Sequence, residues 1–474
     1  MMHTFEYCIE KKKDWGQVSE LGELLVGVSG LTGVMIGEGV AFEGGEHGRI
    51  MAIREEQVEI MRLSRVQVLM GERVAATGMP IMTSCGKGVL GKMINGLGYA
   101  IGEGREKSKE SESREIDTRP MGIVGRTRVT EYLETGISLL DQLVPIGHGQ
   151  RELVIGDRKS GKTQLLLQIL INQVRQGTVG IYCAIGKRAS EIKRIEEYLV
   201  KHKIRDKCLI VASSAASVAG EVYVTPFTAM THAEYFRDQG KNVLLILDDL
   251  SSHAKYYREI GLAAKQFPGR ESYPGDVFHI QAKLLERAGN FLIKGKAKAI
   301  TCLPVAESLL GDMTGFIQTN LMSITDGHWF LDTQIFHTGA RPAVNVFLSV
   351  SRVGRQTQPR LVREVGEKLM TLLKESEAVS RFMQFGSELN KDIIAMVERS
   401  RRIRNVFNQV GGALIPLQVQ LLVIMMAWHG YFDGKGVKEL VEKYKKEPFT
   451  LKAKNWEELF AETAEQNKWQ RWLI

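Results

Sequence analysis

The sequence predicts a multidomain chain: an all-β module at the N-terminus, a central α/β phosphate-binding domain and an α-helical domain at the C-terminus. Three observations predict it. Short apolar runs punctuated by glycine fill residues 20–78. Between Thr135 and Arg352, β-rich apolar runs alternate with longer segments of helical length. After Arg363, apolar residues recur at three- and four-residue spacing. A length of 474 residues allows about three domains, and the composition shifts divide it into 1–78, 79–363 and 364–474.

In the first segment, ELLVGVSG, GVMIGEGVAFEGG, HGRIMAI, QVEIMRL and ERVAATG read as short strands separated by turns. This spacing suggests a small barrel or sandwich. It carries no visible chemistry and reads as an assembly module. The polar run EGREKSKESESREIDTR, residues 103–119, has too little apolar content for a core and reads as a solvated loop. The runs RELVIGD, GIYCAIG, CLIVASS, NVLLILDD, AKAITCLPV and VNVFLSVSR suit strands buried on both faces. Alternating with helices, they predict a parallel sheet covered on both sides. VGEKLMTLLKESEAVSRF, DIIAMVERSRRIRNVFNQ and LQVQLLVIMMAWHG then read as helices. The charged, amphipathic tail offers Trp456, Trp469 and Trp472 as packing anchors.

Composition excludes several classes. Apolar residues at 44%, charged residues at 25%, and 48 Gly against 11 Pro rule out disorder, a collagen-like chain and a disulfide-stapled scaffold. The apolar run Leu417–Trp428 is interrupted by Gln418 and Gln420 and is shorter than the ~20 residues a membrane span needs. The opening MMHTFEYCIEKKKDW is too polar for a secretory leader and too acidic for a transit peptide. Net charge is 63 − 55 = +8, which favours phosphate-bearing ligands. Without a basic stripe interleaved with aromatics, nucleic acid is not an expected partner. Five cysteines with no C-x-x-C pair read as isolated, reduced thiols.

The sharpest motif is GDRKSGKT: Gly156, Asp157, Arg158, Lys159, Ser160, Gly161, Lys162 and Thr163. It fits G-x-x-x-x-G-K-[ST], and a strand precedes it while a helix follows. The glycines let the backbone turn and aim N–H groups at phosphate, and the helix presents its positive end. Lys162 supplies a point charge for the terminal phosphates, and Thr163 a hydroxyl for Mg²⁺. NVLLILDD, an apolar strand ending in Asp248 and Asp249, predicts the second element, with Asp248 holding the Mg²⁺ water shell. Hydrolysis further needs a carboxylate to activate water. The strand GIYCAIG is followed by Lys187 and Arg188, neither of which can serve. Glu191 lies about a helical turn further on, and Asp249 is a methylene shorter than glutamate. The sequence therefore predicts an ATP/ADP cradle without a good catalytic base.

These segments resemble, in order, the alpha subunit family of the rotary F-type ATP synthase head. ETGISLLDQLVPIGHGQRELVIGDRKSGKT resembles the family's P-loop region. LDDLSSHAKYYREI and PGRESYPGDVFHIQAKLLERA resemble the stretch after its second aspartate motif. SITDGHWFLDTQIFHTGARPAVNVFLSVSRVG resembles its arginine-finger segment, FMQFGSELN the opening of its helical domain, and GLTGVMIGEGVAFEGGEHGRIMAI its barrel. The resemblance covers residues 20 to 430 and weakens thereafter.

The resemblance implies a β-barrel, a RecA-like nucleotide domain and a helical bundle. It implies a ring of three alpha and three catalytic beta subunits around a gamma-type central stalk. A peripheral stalk and a membrane ion-translocating sector complete the assembly. It implies Mg²⁺ and ATP/ADP bound without turnover. Arg352 matches the arginine finger that reaches the neighbouring beta site, and Ser349 matches a serine that couples sites. Gln409 matches the first of two adenine-pocket glutamines; the second position holds Gly411. Where beta carries its catalytic glutamate and alpha a glutamine, this chain has Lys187, which would sit against the γ-phosphate or a nearby acid. The segment before the barrel is shorter than the family's stator-docking helix, and Trp469 and Trp472 have no counterpart.

The expected location is a peripheral membrane complex, on the cytoplasmic face in a bacterium or the matrix face in a mitochondrion. Two alternatives stay open. One is an autonomous homohexameric ATPase of export or helicase type, which would need its own base. The other is an alpha-like subunit of a repurposed rotary ATPase.

Overall fold

The computed structural model describes residues 4–12, 14–102, 111–383, 390–409, 414–465, 469 and 472. The chain forms two compact units. One comprises Met1–Arg128, Val174–Ser308 and Asp312–Thr325; the other comprises Val129–Gln173, Leu309–Gly311 and Asp326–Ile474.

The first unit begins with a helix, Phe5–Lys12, whose Phe5 and Cys8 pack on Ala41 and Ala75. The sequence reading missed it because so short a segment has little periodicity to detect. Six strands then close a barrel in the order Gly16–Leu21, Leu25–Ser29, Val58–Arg62, His47–Ile53, Glu38–Phe42 and Arg73–Pro80, the last pairing back to the first. The barrel is therefore closed, which removes exposed strand edges. Val28, Val40, Ile50, Ile60 and Val74 fill its interior. Gly48 is required where strands cross: a Cβ there would come within 2.3 Å of the Ile60 Cγ2 methyl. In the run GVMIGEG, Met35 and Ile36 are exposed, and the strand starts only at Glu38.

Part of the polar run 103–119 is not a solvated loop. Glu112–Glu115 is a strand, antiparallel to Met82–Cys85. Next to it, Asp117 accepts from Arg49 at 2.7 Å and from Lys283 at 2.8 Å. The charges that marked the run as solvated are partly spent in ion pairs. Residues 103–110 lie outside the described ones.

The same unit holds a parallel sheet in the order Met93–Ile94, Cys208–Ser214, Val179–Lys187, Val243–Asp248 and Lys296–Glu307. Gly289–Ile293 pairs antiparallel with the last. Val243–Asp248 is buried at every position, as its unbroken apolar run predicts. The helices Ala219–Asp238 and Leu250–Ala263 pack on this sheet. All five cysteines are buried.

In the second unit, Glu152–Gly156 runs parallel to Gly327–Leu331, in register from Glu152 opposite Gly327 to Gly156 opposite Leu331. Val350–Ser351 pairs antiparallel with the start of the latter strand. Helices Arg360–Met383, Lys391–Phe407, Leu417–His429, Val437–Lys446 and Trp456–Ala464 follow. Leu417–His429 is buried without interruption from Val419 to Ala427, as expected of a helix surrounded by others. Its two polar interruptions are satisfied. Gln420 donates to Asp141 Oδ2 at 2.7 Å and to the Ile415 carbonyl at 2.8 Å, and Gln418 accepts from the Leu451 N–H at 2.9 Å.

The tail tryptophans are anchors. Trp456 stacks edge-on to Trp428, while Trp469 and Trp472 both pack against Phe449. Residues 384–389, within FMQFGSELN, lie outside the described ones. Among the described residues, no helix is long and apolar enough to cross a membrane.

Candidate nucleotide-binding site

The P-loop lies wholly in the second unit. It leaves the buried strand Glu152–Gly156 and enters the helix Lys162–Arg175. Gly156 has no room for a side chain, since a Cβ would come within 2.5 Å of the Leu331 carbonyl. Gly161 has φ +97°, a left-handed conformation that glycine adopts without strain. Lys159 also has positive φ, at 62°, at a cost of about 1–2 kcal/mol for a residue with a Cβ. Alternation of handedness along such a loop turns successive N–H groups to one side and makes an anion-binding concavity.

Side chains fix the loop's shape. The Ser160 hydroxyl, buried, donates to the Asp157 carbonyl at 2.8 Å. The Asp157 carboxylate accepts from the Gly311 N–H at 3.0 Å and from the Thr333 hydroxyl at 3.1 Å, so it serves the loop's anchoring. The Lys162 ammonium donates to the carbonyls of Gly156 and Asp157, both at 2.6 Å. Arg158, Lys159 and Thr163 are exposed.

Next to the loop is a cavity of about 350 Å³, within the range of small-molecule sites. Leu165, Leu331, Phe336, Pro342 and Ala343 give it apolar walls, with Ser160, Gly161, Gln168, Arg341 and Gln409 also on its lining. The Arg341 guanidinium lies 3.5 Å from the centre of the Phe336 ring and donates to the Phe336 carbonyl at 2.8 Å. Gln409 is held by backbone: its Oε1 accepts from the Ser138 N–H at 2.6 Å, and its Nε2 donates to the Gly136 carbonyl at 3.1 Å. Its side chain therefore shapes the wall. Gly411 lies outside the described residues. The sequence reading missed Phe336, Arg341 and Pro342. They stand in the quoted segment FHTGARPAVN, whose Gly-Ala-Arg-Pro turn was the available signal.

Ser349 and Arg352 lie elsewhere in the same unit. Ser349 is buried; its hydroxyl donates to the Asn345 carbonyl at 2.7 Å and accepts from the Phe330 N–H at 2.9 Å. Arg352 is exposed, one residue past the strand Val350–Ser351. Ser351 pairs with Gly327, which pairs with Glu152. Arg352 thus follows the strand end opposite to the P-loop, roughly 13 Å away along four residues of strand. Glu152 there is fully buried. Burial pushes its carboxyl well above the usual range, against the hydrogen bond from Gln150 and the nearby charge of Arg352.

The remaining predicted residues belong to the first unit. Ala184 and Asp248 are register partners on adjacent parallel strands, which brings Lys187 to the aspartates. Lys187 Nζ lies 2.8 Å from Asp248 Oδ1 and 3.4 Å from Asp249 Oδ2. The Tyr182 hydroxyl donates to Asp248 Oδ2 at 2.6 Å. Asp249 caps the helix Leu250–Ala263, accepting from the Ser252 N–H at 2.5 Å and from its hydroxyl at 3.2 Å. Both aspartates are buried. Burial opposes the charge on Lys187, but the two carboxylates outweigh it and leave the amine more basic than an ordinary lysine. Glu191 is exposed in the first turn of the helix Ala189–Lys201.

Comparison with known proteins agrees with this geometry. The family model described as ATP synthase alpha/beta family, nucleotide-binding domain, matches residues 136–351. That for the ATP synthase alpha/beta chain, C terminal domain, matches residues 358–473. An ATP synthase subunit alpha from Sulfurovum sp. is 39% identical over 419 residues, covering 88% of this chain and 83% of the relative. Its namesakes from Dictyoglomus thermophilum and Dictyoglomus turgidum are each 38% identical over 433 residues, covering 90% of this chain and 85% of theirs. A buried strand opening into a P-loop, an apolar cavity beside it, a closed N-terminal barrel and a helical C-terminus therefore coincide with relatedness along nearly the whole chain, which belongs to the F-type ATP synthase alpha subunit family.

Proposed function

We propose that this chain is a non-catalytic, nucleotide-binding subunit of a rotary ATP synthase head. It binds ATP or ADP at residues 156–163 and the adjoining cavity, and lends Arg352 to the catalytic site of a neighbouring beta-type subunit. Ser349 braces the segment carrying the finger. The ring would comprise three subunits of each kind around a gamma-type stalk. A stator and an ion-translocating membrane sector would complete the complex, at the cytoplasmic or matrix face.

The state of the candidate bases carries this reading. Lys187 stands where a water-activating carboxylate is needed, and a cation cannot take a proton from water. Asp249 spends its oxygens on a helix cap and on Lys187. An autonomous homohexameric ATPase would need a carboxylate base; with Lys187 and Asp249 unsuited, that leaves Glu191, about a helical turn past the strand end, so that alternative is not favoured. The place of Arg352, at the strand end away from its own P-loop, supports a finger acting in trans. A guanidinium suits that task because it stays charged and grips phosphate oxygens through a planar fork.

Thr163, exposed at the helix start, fits a role in presenting a hydroxyl to Mg²⁺. Mg²⁺ held there would supply positive charge against that of the terminal phosphates. The chain's own part is to bind, orient and anchor: N–H groups of the loop cradle the phosphates, Lys162 supplies charge, and the apolar walls receive the base.

The test is steady-state ATP hydrolysis by the purified chain, alone and mixed with a beta-type partner. The expected outcome is bound nucleotide without turnover alone, and turnover in the mixture. Sustained turnover by the chain alone, abolished by Lys162→Ala, would overturn the reading.

A further inference from the structure

Between the helix Thr333–His337 and Arg352, the regular structure is the two-residue strand Val350–Ser351. Side-chain hydrogen bonds must therefore set the course of this segment. Asn345 commits every polar group it has to that task. Its N–H donates to the Phe330 carbonyl at 2.8 Å, on the strand Gly327–Leu331. Its Oδ1 accepts from the N–H groups of Phe347 at 3.1 Å and Leu348 at 3.3 Å. Its carbonyl accepts from the Ser349 hydroxyl at 2.7 Å, and its Nδ2 donates to Asp332 Oδ2 at 3.1 Å. Two N–H groups on the oxygen and a carboxylate on the nitrogen allow one orientation of the amide. Asp332 is itself fixed. Its N–H donates to the Ala343 carbonyl at 2.8 Å, and its Oδ1 caps the helix Thr333–His337 by accepting from the Gln334 N–H at 2.8 Å. At the tip of the turn, Phe347 and Leu348 are exposed, so hydrogen bonds and not packing hold it. Beyond the turn, the Ser351 hydroxyl donates to the Pro145 carbonyl at 2.6 Å and the Arg352 N–H to the Asp326 carbonyl at 3.1 Å.

We propose that Asn345 is a positioning residue for Arg352: its side-chain amide, anchored on Asp332, holds the turn from which the strand bearing the finger departs. This rests on the reading of Arg352 as a finger and deepens it. An exposed arginine reaches only as accurately as the backbone it springs from, and a misplacement of about 1 Å can cost a hundredfold in rate. Ser349 braces the turn by bonding the Asn345 carbonyl; the Asn345 side chain gives that brace a fixed point. The amide type is needed because the site asks for an acceptor on one side and a donor on the other, and a carboxylate or a hydroxyl supplies only part of that set. Asn345 does not touch the nucleotide, so its effect passes entirely through the finger.

The test measures kcat and KM for ATP hydrolysis by the ring assembled from the full chain and a beta-type partner. It compares the unaltered chain with Asn345→Ala, Arg352→Ala and the two combined. Asn345→Ala is expected to lower kcat at least about tenfold, with KM and this chain's own ATP dissociation constant kept within about threefold. In the Arg352→Ala background it is expected to cost less than about threefold more, because a residue that acts through the finger has nothing left to position. A smaller loss of kcat in Asn345→Ala would overturn the proposal. So would a further loss of about threefold or more in the Arg352→Ala background, which is the mark of a merely structural role. If Asn345→Ala fails to fold or to enter the ring, Asn345→Asp decides. It keeps the acceptor for Phe347 and Leu348 but sets a carboxylate against Asp332. It is expected to lower kcat at least about tenfold, and adding Asp332→Asn, which restores a donor and an acceptor in exchanged places, is expected to recover kcat to within about threefold. No loss in Asn345→Asp, or a loss that Asp332→Asn does not recover, would overturn the proposal. A kcat unchanged by Arg352→Ala would instead overturn the finger reading, and this proposal with it.

Discussion

Two strand ends of this molecule look alike in sequence and differ in chemistry. Glu152–Gly156 and Val243–Asp248 are both fully buried strands, and each ends at residues whose types suit a phosphate or its metal. At the first, the loop turns its anchoring groups inward. Asp157 and Ser160 hold the backbone, while Lys159, Thr163 and Arg158 remain exposed. At the second, the carboxylates are enclosed by Tyr182, Lys187 and Ser252. Residue type alone says what a group could do; its existing partners decide what it is available to do. The carboxylates of one end are enclosed by the protein's own groups, and the other end keeps Arg158, Lys159 and Thr163 exposed.

The largest expected effect tests a third strand end, the one carrying Arg352. Arg352→Ala is expected to lower turnover in a mixed ring about a thousandfold, with this chain's own ATP affinity kept within about twofold. A large loss of affinity would place the guanidinium in the chain's own pocket and break the contrast. Next, Lys162→Ala removes charge-assisted contacts and is expected to raise the ATP dissociation constant about a hundredfold, or about 2.7 kcal/mol, by calorimetric titration. An unchanged constant would mean that the open end is not the phosphate site.

Tyr182→Phe should act on stability alone. It strands a buried carboxylate oxygen and is expected to cost about 1–3 kcal/mol in denaturant unfolding, with ATP affinity kept. The last prediction is read as a pH dependence and concerns Glu134, beside the loop that Gln409 holds. Burial, assisted by the charge of Asp141, raises its carboxyl from 4.5 to about 7. The folded state therefore holds the proton more tightly. Its contribution is complete below pH ~4.5 and is lost as pH rises through about 7. Glu134→Gln keeps an acceptor for the Leu417 N–H and should remove that loss. Parallel pH dependences of unfolding for the two chains would refute it.

The P-loop was legible because its requirements are local: two glycines, a lysine and a threonine between a strand and a helix, all within residues 152–175. The buried sheet strands were legible from unbroken apolar runs, and the helical end from its periodicity. The Lys187–Asp248 pair was not. It depends on which strands lie side by side, and Ala184 meets Asp248 only through a register that no local pattern records. Phe336, Arg341 and Pro342 escaped for a similar reason, as loop residues placed by distant neighbours. The Glu112–Glu115 strand was hidden because its stabilisation comes from pairing and ion pairs instead of apolar content.

Gln409 has a consequence for how this chain can evolve. It bonds the Ser138 N–H and the Gly136 carbonyl, and Gln420 bonds Asp141. Residues from near the start of the nucleotide-binding segment and from the helical end thus share one set of hydrogen bonds. A gene shortened after codon 363 would encode a P-loop but would lose Gln409 from the cavity wall and Gln420 from a buried aspartate. The helical end is therefore not a detachable appendage. Its loss would be felt at the cavity wall through Gln409 and at buried Asp141 through Gln420.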